Sequence, residues 1–180
     1  MKNICLLFIL LLAALSFSTC EKEKTPPTEL EKLPAATQEG KNTFGCLVDG
    51  KAWTPKWGGL INPGITPYYN NVLGRFTIDA AHYSNQKLSS GVWITGDSIW
   101  VPGVYNLVHP LLSYIHIDSA CGSSGPQSHE YHDNINGTIQ ITRLDVSTGI
   151  ISGTFEFDAV SETCQDTVHI TDGRFDIKYK

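Results

Sequence analysis

A chain of 180 residues with 13 Lys and Arg against 18 Asp and Glu has a formal net charge of −5, which leaves no basic footprint for nucleic acid. Sixteen glycines, only 17% charged residues and a single Met, at position 1, favour turn-rich β structure over helices.

The chain opens with Lys2, an unbroken apolar run from Ile4 to Leu15, and the stretch Ser16-Phe17-Ser18-Thr19 ahead of Cys20. That is the layout of a secretory leader. Twelve apolar residues fall short of the roughly 20 a helix needs to cross a bilayer, so residues 1–19 read as a signal peptide and not as a span. A cysteine at the cut has its own chemistry, because its thiol can take a diacylglyceryl group through a thioether before the peptide bond ahead of it is broken. The layout resembles the lipobox of bacterial lipoproteins in a loose Bacteroidota-type form. Ser18 and Thr19 supply the small residues, and Phe17 stands where Leu is usual. The resemblance implies a lipid on Cys20 that holds the protein in the outer membrane, on the periplasmic or the cell-surface face. Two or more acyl chains anchor stably, at about 0.8 kcal/mol per buried methylene. Loss of the leader removes one cation, Lys2, and no acid, so the formal charge of −5 becomes −6.

Residues 20–42 are rich in Glu, Lys, Thr and Pro, with Pro26, Pro27 and Pro34 and no apolar period to bury, and read as a flexible tether. Such a segment reaches roughly 25 Å. Residues 43–180 then form one domain of ordinary size. Its first element is a hairpin, Phe44 to Val48 and Lys51 to Trp53, around Asp49-Gly50, a pair that adopts the positive φ angles of a two-residue turn. Period-two alternation predicts strands at Arg75–Ala80, Val92–Thr95, Val104–Leu107 and Tyr114–Ile117. Thr138–Thr142 follows Asn136-Gly137, and Ile151–Phe157 sets Phe155 and Phe157 against Glu156. The last pattern runs through Val168, Ile170, Phe175, Ile177 and Tyr179 around Asp172-Gly173. Asp172-Gly173 reads as a turn or bulge, with Arg174 and Asp176 on the wet face. Trp57–Asn71 and Ser119–Asp133 read as the main irregular loops. The fold class is all-β, an antiparallel β-sandwich or, alternatively, a calycin-like β-barrel.

Three thiols stay in the domain, Cys46, Cys121 and Cys164. An exported chain has use for one disulfide, and Cys121 with Cys164, both in polar turn-like stretches, is the favoured pair, with Cys46 a buried strand residue. Sequence leaves the other pairings open.

No catalytic or metal site is expected, and no cofactor. In Ser128-His129-Glu130-Tyr131-His132-Asp133 the imidazoles are three apart, wrong for the H-E-x-x-H of a zinc helix, so a solvated polar loop is the better reading. Ser152 lacks G-x-S-x-G spacing. Glu156 and Asp158 share one strand face, the ordinary place for carboxylates. The aromatics are more suggestive. Trp57, Tyr68, Tyr69 and Trp100 lie next to glycine or proline or in loops, where rings offer flat platforms to a glycan or a protein. The competing reading puts such rings in the core.

The stretch Leu33-Pro34-Ala35-Ala36-Thr37-Gln38-Glu39-Gly40-Lys41-Asn42-Thr43-Phe44-Gly45-Cys46 resembles the domain start of a family of Bacteroidota lipoproteins of unknown function. Ile151-Ser152-Gly153-Thr154-Phe155-Glu156-Phe157 and Ile170-Thr171-Asp172-Gly173-Arg174-Phe175-Asp176 resemble its last two strands. The resemblance implies the compartment and the β architecture and brings no catalytic residue. The expectation is therefore a non-enzymatic envelope module, held in the membrane through Cys20, that binds a glycan or an envelope protein. The alternatives are a barrel holding a small apolar ligand and an envelope hydrolase.

Overall fold

The computed structural model describes residues 25–60, 63–106, 112–117, 129–161 and 166–180. Cys20, Cys121 and Cys164 lie outside these residues, and with them the lipid site and the favoured disulfide.

Turn chemistry sets the hairpins. Asp49 and Gly50 take φ of 48° and 75° and fold β1 (Thr43–Val48) onto β2 (Lys51–Trp53), as the Asp-Gly pair predicts. β3 (Ile65–Asn70) pairs with β4 (Arg75–Ser84). Asn85 and Gln86, both at positive φ, turn β4 into β5 (Lys87–Gly96). β6 (Gly103–Asn106), β7 (Leu112–Ile117), β8 (His129–Asp145), β9 (Ile150–Ser161) and β10 (Thr167–Lys178) complete one antiparallel sheet. Its order is β2-β1-β10-β9-β8-β7-β5-β4-β3, with β6 also on β8.

β8 serves two layers. Its first part, His129–Asp133, pairs with β7, and after a register shift between Asn134 and Asn136 its residues Thr138–Ile141 pair with β6. The sheet thereby folds over on itself, and its inner faces meet. Phe76 of β4 packs on Phe175 of β10 with ring centroids 6.5 Å apart, and Tyr69 of β3 meets Tyr179 at 5.1 Å. Trp53 Nε1 of β2 donates to Ser90 Oγ of β5 at 2.8 Å. Phe155 touches three other phenylalanines at the centre, Phe44, Phe157 and Phe175, and Ile139, Ile151 and Ile177 fill in around them. Each such side chain contributes about 1.5–3 kcal/mol by leaving water. β2 and β3 end the strand order, β6 pairs with β8 alone, and the sheet does not close, so the barrel alternative gives way to an open, sandwich-like arrangement. Cys46 sits in this core as an apolar residue, and burial pushes its thiol up to about 12, away from reactivity.

Five expectations need correction. The stretch Trp57–Asn71 contains β3, whose Pro67 hides the strand pattern; an edge strand tolerates proline because its outer N–H has no partner to lose. Residues 129–133 are strand and not loop. Asn136-Gly137 is a bulged interior of β8 and not a turn ahead of a strand.

The fourth correction concerns the tether. Its later part, from Glu29 to Asn42, is packed on the sheet. Glu29 Oε2 accepts from Ala52 N at 2.9 Å and caps the β2 edge. Leu33 is buried, and Pro34 lies against Gly45. Asp176, read from alternation as a wet-face residue, is fully buried because residues 37–41 form a strap across it. Its carboxylate accepts from Thr37 Oγ1 (2.6 Å), Glu39 N (2.9 Å), Gly40 N (2.7 Å), Lys41 N (3.2 Å) and Ser152 Oγ (2.7 Å). Burial alone would raise this carboxyl; the hydrogen bonds from Thr37, Ser152, Glu39 and Gly40 outweigh it and hold the group well below the usual carboxylate range. Residues 37–41, Ser152 and Asp176, distant in the chain, therefore converge on one anion.

Candidate functional site

Two surfaces stand apart from the core. The first is the end of the sandwich where the β3–β4 turn meets the β5–β6 loop. Asn70 shapes the turn: its Oδ1 accepts from Val72 N (3.0 Å) and Leu73 N (3.1 Å), and its Nδ2 donates to the Tyr68 hydroxyl (3.3 Å). Gly74, at φ 60°, then brings the chain under Trp100. A Cβ there would lie 2.7 Å from the indole Cε2 and 2.8 Å from Ile99 N, so only glycine admits this seat. Ile99 N donates to Gly74 O at 2.8 Å, and the Tyr105 hydroxyl donates to Val101 O at 2.7 Å, which ties the loop on both sides of Trp100. Trp100 (54% exposed), Tyr68 (54%), Val72 (80%), Leu73 (53%) and Val101 (61%) thus stay in water on a braced frame, with the Arg75 and Asp97 ion pair at the rim.

Of the four expected platform residues, Trp100 and Tyr68 are both exposed at this end, Trp100 over Gly74 and Tyr68 beside Asn70. Trp57 is exposed elsewhere, next to Lys56, whose backbone bridges His82 at the far end of β4. Tyr69 belongs to the core side, its ring on Tyr179 and its hydroxyl donating to Ile99 O at 3.1 Å.

The second surface is the outer face of β6, β8, β9 and β10. Register lines up Val104, Gln140, Thr154 and Arg174 directly across the four strands. The next row holds Asn106, Thr138 and Glu156, ending at the β10 bulge at Thr171 and Asp172. Val104, Gln140, Thr154 and Arg174, with Thr138, Glu156, Asp172 and Ala36 just ahead of the strap, line an open groove of about 490 Å³. Arg174 Nε donates to Asp172 O (3.1 Å), and Thr138 Oγ1 to Glu156 Oε1 (3.4 Å). A third row, Asn136, Asp158 and His169, is paired within itself. Asn136 Nδ2 donates to Asp158 Oδ2 at 2.9 Å, and His169 Nδ1 meets Asp158 Oδ1 at 2.6 Å. Bonds from Asn136 and then His169 lower the Asp158 carboxyl, and the bond to Asp158 raises the His169 imidazole.

The acids Glu156 and Asp158 are thus engaged with different partners, Thr138 and the Asn136 and His169 pair. Ser152 is buried as a donor to Asp176. The side chains of His129, Glu130, Tyr131 and His132 lie outside the described residues, and among the described residues no three His, Cys, Asp or Glu are placed to hold a metal. Alternation had marked Arg174 and Glu156 as outward, but their assembly with Gln140 and Thr138 needed the strand order. No family model, no curated protein and no solved structure matches this chain.

Proposed function

We propose that the chain is a non-enzymatic module of the outer membrane, anchored by lipid on Cys20, that docks an envelope protein through the braced end around Trp100. The observation that carries this reading is the patch itself. One tryptophan is held open on a glycine seat, and Tyr68, Val72, Leu73 and Val101 are exposed on the same turn and loop, which also carry the charged Arg75 and Asp97 pair. Aromatic anchors inside an aliphatic patch with a charged rim are the composition of protein interfaces. The aliphatic share favours a protein over a glycan at this end. A small apolar ligand would need a closed and empty barrel, and an open sheet with a filled interior lends that alternative no support.

A photo-crosslinking residue at Val101, in the full chain expressed in a Gram-negative envelope, is expected to give one discrete protein adduct. Trp100→Ala should weaken the complex with the identified partner by roughly 30-fold, the effect of a hot-spot truncation near 2 kcal/mol. Gly74→Ala, which lifts the indole off its seat, should weaken it as well. An adduct that persists in Trp100→Ala, or a patch that retains only glycans, would count against the reading. The anchor has its own test. Cys20→Ser is expected to abolish incorporation of a labelled fatty acid into the protein and to leave the leader uncut, and unchanged fatty-acid labelling would defeat it.

A further inference from the structure

The outer-face groove presents complementary groups that the chain does not satisfy itself. Arg174 is half-buried and has only donors to offer. Its Nε is used by the Asp172 carbonyl, while its two terminal nitrogens have no acceptor among the described residues. One strand over and one row along, Glu156 is an acceptor only, and its one bond among the described residues is the long one from Thr138. Gln140 and Thr154 fill the row between Arg174 and Val104 with groups that both donate and accept.

The charges decide the class of ligand. Arg174 contributes one cation, Glu156 and Asp172 two anions, and no lysine lines the groove, so its balance is negative and an anionic ligand is repelled. A ligand that serves both a donor-only guanidinium and an acceptor-only carboxylate without carrying charge needs neighbouring groups that each donate and accept. Adjacent hydroxyls on a sugar ring have that property. The groove crosses four strands, about 14 Å at the usual strand spacing, long enough for more than one ring. It is also rigid. Its rows sit in the middle of strands, and its Ala36 wall is held by the neighbouring Thr37, which donates to Asp176 at 2.6 Å.

We propose that the groove lined by Gln140, Thr154, Glu156 and Arg174 binds a neutral glycan, with vicinal hydroxyls bridging the Arg174 guanidinium and the Glu156 carboxylate. This site is separate from the loop end around Trp100 and does not depend on it.

The full chain is applied to a printed array of neutral and uronate-bearing oligosaccharides, and the best-bound neutral one is then titrated calorimetrically. Binding to a neutral glycan is expected. Arg174→Gln and Glu156→Gln should each weaken it at least about tenfold while the thermal midpoint stays within a few degrees of the parent, and Trp100→Ala should leave it unchanged. Three outcomes would overturn the proposal: no neutral glycan above background, retention of uronate-bearing glycans only, or binding that survives both groove variants. Since Trp100→Ala reports on the loop end alone, failure of either surface is read separately from failure of the other.

Discussion

Asp176→Asn is expected to cost about 3 kcal/mol or more in urea unfolding at pH 7, although the two side chains have nearly the same shape. The carboxylate accepts five hydrogen bonds, two from hydroxyls and three from consecutive backbone N–H groups of the strap. Asparagine keeps one acceptor oxygen and replaces the other with an NH2 that points at donors. Hydrogen bonds to a charged group are worth about 1.5–3 kcal/mol each, and buried donors left without a partner add their own cost. The sign of the pH dependence follows from the depressed pKa. The native carboxyl titrates below its unfolded value of about 3.9, so its stabilisation is fully present above that value and is lost as pH falls through the native one. Parent and variant should therefore differ most near neutrality and converge as the solution is acidified below about pH 4. Urea midpoints at pH 7 and pH 3 check both halves. Equal midpoints at pH 7 would mean that the strap is not held by this anion. The same variant should speed proteolysis at Gln38 and Glu39, because the strap's backbone would lose its acceptor.

The Asp176 cluster also shows where reading the sequence succeeds and where it stops. Alternation placed Phe155 and Phe157 inside and Glu156 outside because those directions depend only on neighbours along one strand. The same rule put Asp176 on the outer face, and its side chain does point there. What alternation does not register is that Thr37, 139 positions earlier in the chain, closes over that face and turns an outward carboxylate into a buried one. Leu33 was the available sign, an apolar residue inside a polar stretch, yet one residue makes no period. Pro67 concealed β3 for a different reason: in isolation it breaks a strand, and only the pairing order reveals an edge that tolerates it. Asn136-Gly137 looks like a hairpin turn, yet β8 runs straight through it with a bulge, because both of its halves have partners waiting. The groove shows the same dependence. Arg174 meets Thr154 and Gln140 across three successive strands, and the row depends on the register of their pairing, which no spacing rule within one strand announces.

Phe155→Ala should be the most damaging substitution in the core, at about 3–5 kcal/mol, the range for deleting a buried phenylalanine ring. Phe155 is 3% exposed, and its ring centroid lies 5.2 Å from that of Phe44, 6.3 Å from Phe157 and 6.4 Å from Phe175. These neighbours sit on strands whose backbones are locked by ladders on both sides, so they have little freedom to collapse into the void, and the penalty should fall in the upper part of the range. A double-mutant cycle with Phe175→Leu should show coupling of about 0.5–1.5 kcal/mol, the worth of an aromatic pair beyond its area. Trp100→Ala is the informative contrast. It removes a larger ring, but one that is more than half exposed, so its stability change should stay near 0.5 kcal/mol while its effect on partner binding is large. If Trp100→Ala destabilised the fold as much as Phe155→Ala does, the indole would be holding the sandwich end closed and the docking surface would lose its anchor. Two aromatic residues that composition treats alike are thus separated by one measurement, urea unfolding, because the free energy at stake follows the area each ring has already taken out of water.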